Sequence, residues 1–423
     1  MLYKRELYLR KIRGFYDHPE IIKVITGVRR SGKSSLMQMV IDELKERGVE
    51  DRRIIYLNLD RRPYLRVKTS EQLEAVIDPL ISRAECGLIY LFIDEIQNVK
   101  DFEPLIESLR LEGNISIFIT GSNSYLLSSE LVTKLTGRYV EVEIMPLNFR
   151  EYVEMKKLFG KRVEDSLDEE FLTYLREGGF PGAVLLDSHE DRMTYVKNLV
   201  REIVRKDVRS RLKIRNSAAF DVVFDFVVGN FGAPLSTGSL HRAFKNRYPA
   251  PLKSQTLDRY VKALLDAKVI YECRRFDTKS KAAIGGERKY YLSDLSFYWA
   301  NSASGSIDFG PALENVIFQL HKGLGHEVSI GKVGNLECDF IVRDGTSSYR
   351  YLQVALTIYE SEARLSLNKK RTVADREFEP LERIRDNYPK FVLTMDRFTA
   401  DRNGIKNLNI IDYINRTVEE AER

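Results

Sequence analysis

The run Gly27-Val28-Arg29-Arg30-Ser31-Gly32-Lys33-Ser34 decides the fold of this chain, because it fits the phosphate-binding pattern G-x-x-x-x-G-K-[ST]. Residues 21–25 (Ile-Ile-Lys-Val-Ile) have the composition of a buried strand, and residues 34–47 carry apolar side chains at helical spacing. A loop between two such elements directs backbone N–H groups and the N-terminus of the helix toward phosphate oxygens. The pattern therefore predicts a P-loop nucleotide site in an α/β fold.

The side chains of this loop have distinct predicted roles. We expect the Lys33 ammonium to reach the β- and γ-phosphates of ATP and the Ser34 hydroxyl to bind Mg²⁺. The rest of the loop is expected to surround the phosphates. The candidate nucleotide-binding residues are therefore Gly27, Val28, Arg29, Arg30, Ser31, Gly32, Lys33, Ser34 and Ser35.

A second motif follows about sixty residues later, where the apolar run at residues 88–93 ends in Asp94 and Glu95. A continuous apolar run is typical of a central parallel strand, whose carboxyl end opens onto the ligand crevice. We expect Asp94 to hold Mg²⁺ through its water shell and Glu95 to orient and deprotonate the attacking water. Together with the P-loop, this pair predicts hydrolysis of the nucleotide.

Four N-terminal stretches form a distinctive combination: residues 22–34, Phe-Ile-Asp-Glu-Ile-Gln at 92–97, Thr-Gly-Ser-Asn-Ser at 120–124 and Leu-Thr-Gly-Arg-Tyr at 135–139. Together with later matches, they resemble the prokaryotic AAA-type ATPases that end in the domain of unknown function 4143. The resemblance covers nearly the whole chain. It implies an ATPase core, a winged-helix segment and a nuclease-like C-terminal domain. The later matches are at residues 178–181, 289–291, 337–340 and 387–390.

Three further polar residues are candidates for catalysis. AAA-type ATPases place a polar sensor after the strand beside the Asp-Glu strand, and Ser122 and Asn123 follow the apolar run at residues 115–119. A simple Gly-Ser-Asn turn is the alternative. Arg138 precedes another predicted strand, at residues 140–144, and could act as an arginine finger on the nucleotide of a neighbouring subunit. A structural salt bridge is nearly as good an interpretation of Arg138.

Basic residues are concentrated between residues 238 and 290, where 13 lysines and arginines face 5 acidic residues. The pattern here predicts a winged helix-turn-helix, with helices at 236–246 and 254–268. On the second helix, polar and basic side chains lie opposite an apolar stripe, and more arginines follow on the next strand. Such a face can contact base edges and phosphates in a major groove, or it can serve a protein partner. The candidate DNA-binding residues are Gln255, Arg259, Lys262, Arg274 and Arg275.

From residue 311 onward, the order helix, strands, helix, strand resembles the restriction-endonuclease-like fold. That resemblance implies metal ligands at Glu314 and Asp339, followed by an acid and a lysine on the next strand. Those last two positions hold Gln353 and Ala355. We therefore expect a degenerate nuclease scaffold, unless Lys369 or Lys370 replaces the missing lysine.

The composition is that of a globular chain with more than one domain. At 423 residues we expect two to four domains, and 43% hydrophobic with 30% charged residues provides ample core. No apolar run is long enough to span a membrane, and the N-terminus lacks a signal-peptide pattern, which predicts a cytoplasmic protein. Three cysteines and five histidines have neither disulfide nor zinc spacing, so Mg²⁺ is the only metal implied.

These patterns predict an α/β protein of four segments. Residues 1–155 are expected to form a P-loop ATPase core with a parallel sheet, 156–230 a helical lid, 231–300 the winged helix and 301–423 the nuclease-like α/β domain. The favoured function is ATP hydrolysis coupled to binding of DNA or a DNA-associated partner, in a homo-oligomer. The alternatives are an ATP-switched DNA-binding regulator with slow turnover and an ATP-gated nuclease.

Overall fold

The computed structural model describes residues 2–84, 87–121, 137–209, 214, 216–247, 252–277, 282–302, 307–345, 348–359 and 372–423, with backbone alone at 237, 247 and 282–287. The chain divides into two compact units. The first comprises Met1–Pro146, Asp266–Lys268 and Glu422, and the second Leu147–Leu265, Val269–Ala421 and Arg423.

The first unit is built on a five-stranded parallel sheet of order β2-β3-β4-β1-β5. Its strands are β1 (Ile22–Thr26), β2 (Ile54–Asn58), β3 (Ile89–Asp94), β4 (Ile115–Gly121) and β5 (Tyr139–Glu143). Its helices are α1 (Glu6–Arg13), α2 (Lys33–Glu46), α3 (Ser70–Arg83) and α4 (Glu103–Leu111). Short 3₁₀ turns occur at Asp51–Arg53, Arg62–Tyr64 and Ile96–Asn98.

The three central strands explain why the sequence predicted this core well. Every residue of β1, β3 and β4 is buried, as expected for parallel strands that are covered on both faces. The predicted strands and the helix after the P-loop lie within two residues of the observed elements at each end. The expectation of an α/β fold with a parallel sheet is therefore confirmed. In such a sheet all carboxyl ends lie on one edge, and this edge carries the P-loop, Asp94 and the end of β4.

The second unit begins with helices and continues into an eight-stranded sheet of order β13-β12-β11-β10-β9-β7-β8-β6. Its helices are α5 (Phe149–Leu158), α6 (Leu167–Glu177), α7 (Pro181–Val184), α8 (His189–Ile203), α9 (Ser217–Gly229), α10 (Thr237–Arg247), α11 (Ser254–Asp266), α12 (Ser296–Asn301), α13 (Phe309–Leu324), α14 (Val373–Glu382) and α15 (Ile410–Glu422). Its strands are β6 (Pro234–Leu235), β7 (Ile270–Asp277), β8 (Ala282–Leu292), β9 (Glu327–Val333), β10 (Leu336–Arg343), β11 (Tyr349–Val354), β12 (Lys390–Thr394) and β13 (Lys406–Asn409).

This sheet crosses the expected boundary at residue 300, because β7 pairs in parallel with β9. Strands from the segment predicted as a winged helix and from the C-terminal segment therefore share one sheet. Helix α8 ends at Ile203, and a π-helical turn follows at Val204–Arg209. The charged stretch 361–386 is helical only over α14 among its described residues. No helix in the described part of the chain has the length and apolar character needed to cross a membrane.

Candidate nucleotide site

The P-loop has a backbone that only particular residues can adopt. Gly27 has a φ of 145°, and a Cβ there would lie 2.3 Å from the Ile144 carbonyl oxygen. Gly32, at the N-cap of α2, has a φ of 111°. Both angles lie in the region that side chains strongly disfavour. The two glycines of the motif therefore allow the loop to turn tightly into the helix.

Lys33 lies inside this loop. Its ammonium is buried and donates to the carbonyl oxygens of Gly27 (3.1 Å) and Val28 (3.2 Å). Nearby, the buried Ser31 hydroxyl has no hydrogen-bond partner among the described residues. Phosphate oxygens can replace the two main-chain carbonyls as acceptors for the Lys33 ammonium. The buried Ser31 hydroxyl, which lacks a partner among the described residues, can also bind a polar ligand. These residues fit a triphosphate.

The outer residues of the loop differ in exposure. Val28 is buried, Arg29 is half-buried, and Arg30 and Ser34 are exposed, while Ser35 is half-buried on the first turn of α2. Ser34 follows Lys33 directly, so its hydroxyl lies at the start of the helix. Position and exposure are compatible with a Mg²⁺ ligand there.

Asp94, at the carboxyl end of β3, is held by residues from both neighbouring strands. Its Oδ1 accepts a 2.5 Å hydrogen bond from the Thr120 hydroxyl, and its Oδ2 accepts from Asn58 (2.7 Å) and Tyr56 (3.1 Å). Three donors on one buried carboxylate fix its orientation. Asp94 is therefore positioned before any ligand binds.

Glu95 follows β3 directly and has an unusual backbone conformation. Its φ of 59° is in the left-handed region, which is strained for a residue with a side chain. Its backbone N–H donates to the Thr120 hydroxyl (2.9 Å), and its carboxylate accepts from Gln97. The Glu95 Oε1 lies 4.0 Å from the Lys33 ammonium. The two motifs, sixty residues apart in sequence, thus meet at one edge of the sheet.

Four residues of this site were absent from the sequence-based candidates. Thr120 and Asn58 end the strands on either side of Asp94, and Tyr56 is on the same strand as Asn58. Their only signal in the sequence is a polar residue at or near the end of an apolar strand. Arg5 carries no such signal, yet its buried guanidinium donates to the carbonyls of Ser31 (3.1 Å) and Met145 (2.8 Å). It joins the P-loop to the segment after β5.

A fifth unpredicted residue, Lys268, comes from far along the chain but belongs to the first unit. Its buried ammonium donates to the Thr26 hydroxyl (3.0 Å), next to Gly27, and pairs with Glu141 (3.3 Å) and Glu143. Burial lowers the pKa of Lys268, but the two carboxylates outweigh burial and raise it above its usual value. Lys268 therefore packs as a cation beside the strand that enters the P-loop.

The remaining catalytic candidates lie elsewhere. Ser122 and Asn123 are outside the described residues. Arg138 is exposed at the amino end of β5, where its carbonyl accepts from the Ile22 N–H (3.0 Å). This is the edge of the sheet opposite Asp94, so Arg138 does not join the site of its own chain. A role in a neighbouring subunit stays a prediction.

The predicted DNA-contacting residues lie on one helix, α11, and one strand, β7. Gln255, Arg259 and Lys262 are all exposed on α11, whereas Leu257, Val261 and Leu264 of the same helix are buried. Arg274 is exposed and donates to Glu272 (2.6 Å).

Arg275, the next residue on β7, is half-buried. It pairs with Glu337 at 3.1 Å. Of the two arginines, Arg274 is thus the more available to a ligand.

The three residues of the expected degenerate nuclease site come together. Glu314 (α13), Asp339 (β10) and Gln353 (β11) line one cavity of about 910 Å³, with Glu377 of α14. A buried lysine also lies beside Glu314, but it is Lys289 of β8 rather than a residue near position 355. Lys369 and Lys370 are outside the described residues.

Burial and the nearby Glu314 carboxylate raise the pKa of Asp339 well above its usual range. In the described part of the chain, no three His, Cys, Asp or Glu side chains form a metal-binding group.

Two family profiles match the sequence. One, described as an AAA domain, covers residues 19–153. The other, a domain of unknown function numbered 8612, covers residues 168–304. The resemblance implied a different domain of unknown function, 4143, at the C-terminal end, and the profile found after the ATPase core is 8612 instead.

Two curated relatives and one solved structure are similar to the chain. An uncharacterized protein of Haemophilus influenzae is 31% identical over 97% of this chain and 98% of its own length. One of Methanocaldococcus jannaschii is 30% identical over 77% of this chain and 72% of its own. A Walker-type ATPase of Pyrococcus abyssi has the same fold with a TM-score of 0.51, at 15% identity, over 71% of this chain and 96% of that chain. The chain therefore belongs to the family of the H. influenzae protein and carries an AAA-type P-loop domain.

Proposed function

We propose that the first unit binds ATP with Mg²⁺ and hydrolyses it. One observation carries the proposal: Lys33, Asp94 and Glu95 converge at the carboxyl edge of the parallel sheet, beside a loop whose glycines and buried hydroxyl fit phosphates. The AAA domain match and the shared fold with a Walker-type ATPase support it.

Each residue has a specific task in this proposal. Lys33 exchanges its bonds with the loop carbonyls for bonds with the β- and γ-phosphates. Asp94 and Ser34 would hold Mg²⁺, which would neutralise charge on the transferring phosphoryl group. Glu95 accepts the proton of the attacking water, and the Thr120 hydroxyl fixes its backbone.

The test is the Glu95→Gln variant. It should bind ATP normally but release phosphate about 10² to 10⁴ times more slowly, the usual contribution of a positioned base. Glu112→Gln, at an exposed position beyond α4, is the matched control and should hydrolyse ATP at the normal rate. Normal turnover by Glu95→Gln would remove Glu95 from the mechanism.

We further propose that nucleotide state controls binding of DNA by the segment 231–300. The order β6, α10, α11, β7, β8, with β6 and β7 both antiparallel to β8, supports a winged helix in this segment. Its second helix exposes Gln255, Arg259 and Lys262. That helix ends at Asp266, two residues before Lys268, which contacts Thr26 beside the P-loop. The chain that leaves this helix therefore contacts the strand that enters the P-loop through a hydrogen bond.

Salt dependence tests the DNA proposal. Affinity for duplex DNA should fall with salt at a log-log slope of about −0.9 per phosphate contact. Arg274→Ala should reduce the magnitude of that slope by about one for every sequence, whereas Gln255→Ala should change sequence preference and leave the slope nearly constant.

The effect of DNA on ATP turnover, and of nucleotide on DNA affinity, separates the remaining functional alternatives. Stimulation of ATP turnover by DNA favours coupled hydrolysis, and slow turnover with ATP-dependent affinity favours a switched regulator. Absence of DNA binding with ATP, ADP or no nucleotide would assign the basic face to an acidic protein partner.

A further inference from the structure

A buried arginine at the start of α1 has no task in the mechanism proposed above. Arg5 is the N-cap of this helix and is only 4% exposed. Arginine is rarely buried to this extent unless its donors are paired, because a charge taken out of water is costly. The groups that pair with this guanidinium therefore indicate what the residue does.

The guanidinium of Arg5 donates to main-chain carbonyls of two separate segments. Its Nη1 donates to the Ser31 carbonyl in the P-loop (3.1 Å) and to the Met145 carbonyl (2.8 Å), and its Nη2 donates to the Pro146 carbonyl (3.4 Å). A guanidinium is planar, so its N–H groups have fixed directions relative to one another. Arg5 therefore fixes the direction of the Ser31 carbonyl relative to residues 145–146.

The segment after β5 is itself held in place on this side of the loop. The Ile144 N–H donates to the Thr26 carbonyl (2.8 Å), and the Met145 N–H donates to the Tyr8 hydroxyl (3.1 Å). The Tyr8 ring also contacts Arg5, whose guanidinium carbon lies 4.4 Å from the ring centroid. The guanidinium is thus positioned by an aromatic ring and by a main chain that is already hydrogen-bonded.

The direction of the Ser31 carbonyl decides the direction of the next N–H. The peptide between Ser31 and Gly32 is trans, and a planar trans peptide directs its C=O and its N–H to opposite sides. Because the Ser31 carbonyl points to Arg5, the Gly32 N–H points away from it.

The Gly32 N–H belongs to the group of donors that bind phosphate in a P-loop. Gly32 is the N-cap of α2, and the Leu36 N–H bonds back to the Gly32 carbonyl (2.9 Å). The N–H groups of residues 32–35 therefore have no acceptor within the helix. Such groups surround the phosphates of a bound nucleotide. Arg5 thus controls one donor of this group through the main chain.

The loop needs an external contact to keep this peptide in one orientation. Gly32 has a φ of 111°, and glycine adopts positive and negative φ with similar ease, so the peptide before it can rotate at little cost. A donor that is already aligned before binding does not have to be ordered by the ligand, and affinity is higher for that reason. Arg5 supplies this alignment.

We propose that Arg5 is a positioning residue for phosphate binding: by holding the Ser31 carbonyl beside residues 145–146, it directs the Gly32 N–H toward the phosphates of the nucleotide. Arg5 acts through the loop main chain and does not touch the nucleotide. The proposal rests on nucleotide binding by the first unit, and it depends neither on hydrolysis nor on DNA.

The experiment measures the affinity of the full chain for fluorescent methylanthraniloyl-ADP with Mg²⁺, well below the melting temperature of every variant. Arg5→Met should weaken binding about tenfold or more, the loss expected when one hydrogen bond to a charged group is misaligned. Arg5→Lys keeps the charge but lacks the planar fork, so it should recover only part of this loss. Full recovery by Arg5→Lys would show that charge alone matters and would overturn the positioning role. The lysine variant also decides the question if Arg5→Met does not fold.

Tyr16→Phe is the matched control for loss of stability. The buried Tyr16 hydroxyl donates to Glu43 (3.0 Å), so its removal should lower the melting temperature and leave ADP affinity unchanged. If Arg5→Met behaves in the same way, with a lower melting temperature and natural ADP affinity, Arg5 is only structural and the proposal is overturned while the nucleotide site stands. If the natural chain itself does not bind ADP, the proposed nucleotide site is overturned, and the role of Arg5 with it.

Discussion

The nucleotide site and the C-terminal cavity use the same kinds of group, carboxylates near strand ends and a buried lysine, in opposite ways. Lys33 donates to neutral main-chain carbonyls and lies 4.0 Å from Glu95, so its charge can be directed to phosphates. Lys289 is paired with two carboxylates and is committed to them. The first lysine is placed to bind a ligand, and the second neutralises the carboxylates beside it.

Asp94 and Asp339 differ in how many of their carboxylate oxygens accept hydrogen bonds. Both oxygens of Asp94 accept hydrogen bonds from neighbouring strands, whereas one oxygen of Asp339 accepts none from the described residues. Asp94 is therefore oriented by the protein and can reach Mg²⁺ through water. Asp339 has a single main-chain donor, the Val354 N–H, and lines a cavity. Hydrogen bonding around a carboxylate thus distinguishes a positioned group from an open one.

The largest expected effect on ATP turnover comes from removing the Lys33 side chain from the nucleotide site. Lys33→Ala should abolish ATP turnover, because the phosphate charge loses its cationic partner. Arg138→Ala should be inactive for a different reason, since Arg138 is predicted to act on a neighbour. Mixing the two variants should restore some phosphate release, because each subunit supplies what the other lacks. If mixtures are as inactive as either parent, Arg138 has a structural role only.

An intermediate effect tests how Asp94 and Glu95 are positioned. Thr120→Val keeps the shape but removes the hydroxyl that donates to Asp94 and accepts from the Glu95 N–H. A lost buried partner costs about 1–3 kcal/mol. Turnover should fall roughly tenfold to a hundredfold in steady-state phosphate release if this cost appears in the transition state. Thr120→Ser keeps the hydroxyl and should be nearly normal. Equal activity of the two variants would show that this contact does not position the catalytic carboxylates.

The smallest effect sharpens the description of the cavity. Gln353→Glu replaces the amide that donates to Glu377 with another carboxylate. The free energy of unfolding, measured by thermal melting, should fall by about 1–3 kcal/mol, because a donor is lost and like charges meet. Gln72→Glu, at an exposed position, controls for added charge. An equal change in the two variants would show that the contact between Gln353 and Glu377 does not stabilise the fold.

Contiguous motifs made the first site predictable. The P-loop glycines, Lys33 and the Asp94-Glu95 pair depend on neighbours in sequence, and their strands carry unbroken apolar runs. Thr120 lay within a quoted motif, but the sensor candidates were two and three residues further on. Asn58 and Arg5 could not be identified, because a polar strand end and a basic residue before a helix are common.

The sequence by itself determined the parallel α/β core and the position of the P-loop in it, since both follow from local periodicity and from the backbone angles that glycine permits. Tertiary structure alone decided which residues surround Asp94, that Lys268 lies beside the P-loop, and that Lys289 pairs with Glu314 and Glu337. Those contacts join residues tens to hundreds of positions apart. Pairing of β7 with β9 and the parallel order of the first sheet create them, and strand pairing between distant segments leaves no periodic signal in the chain.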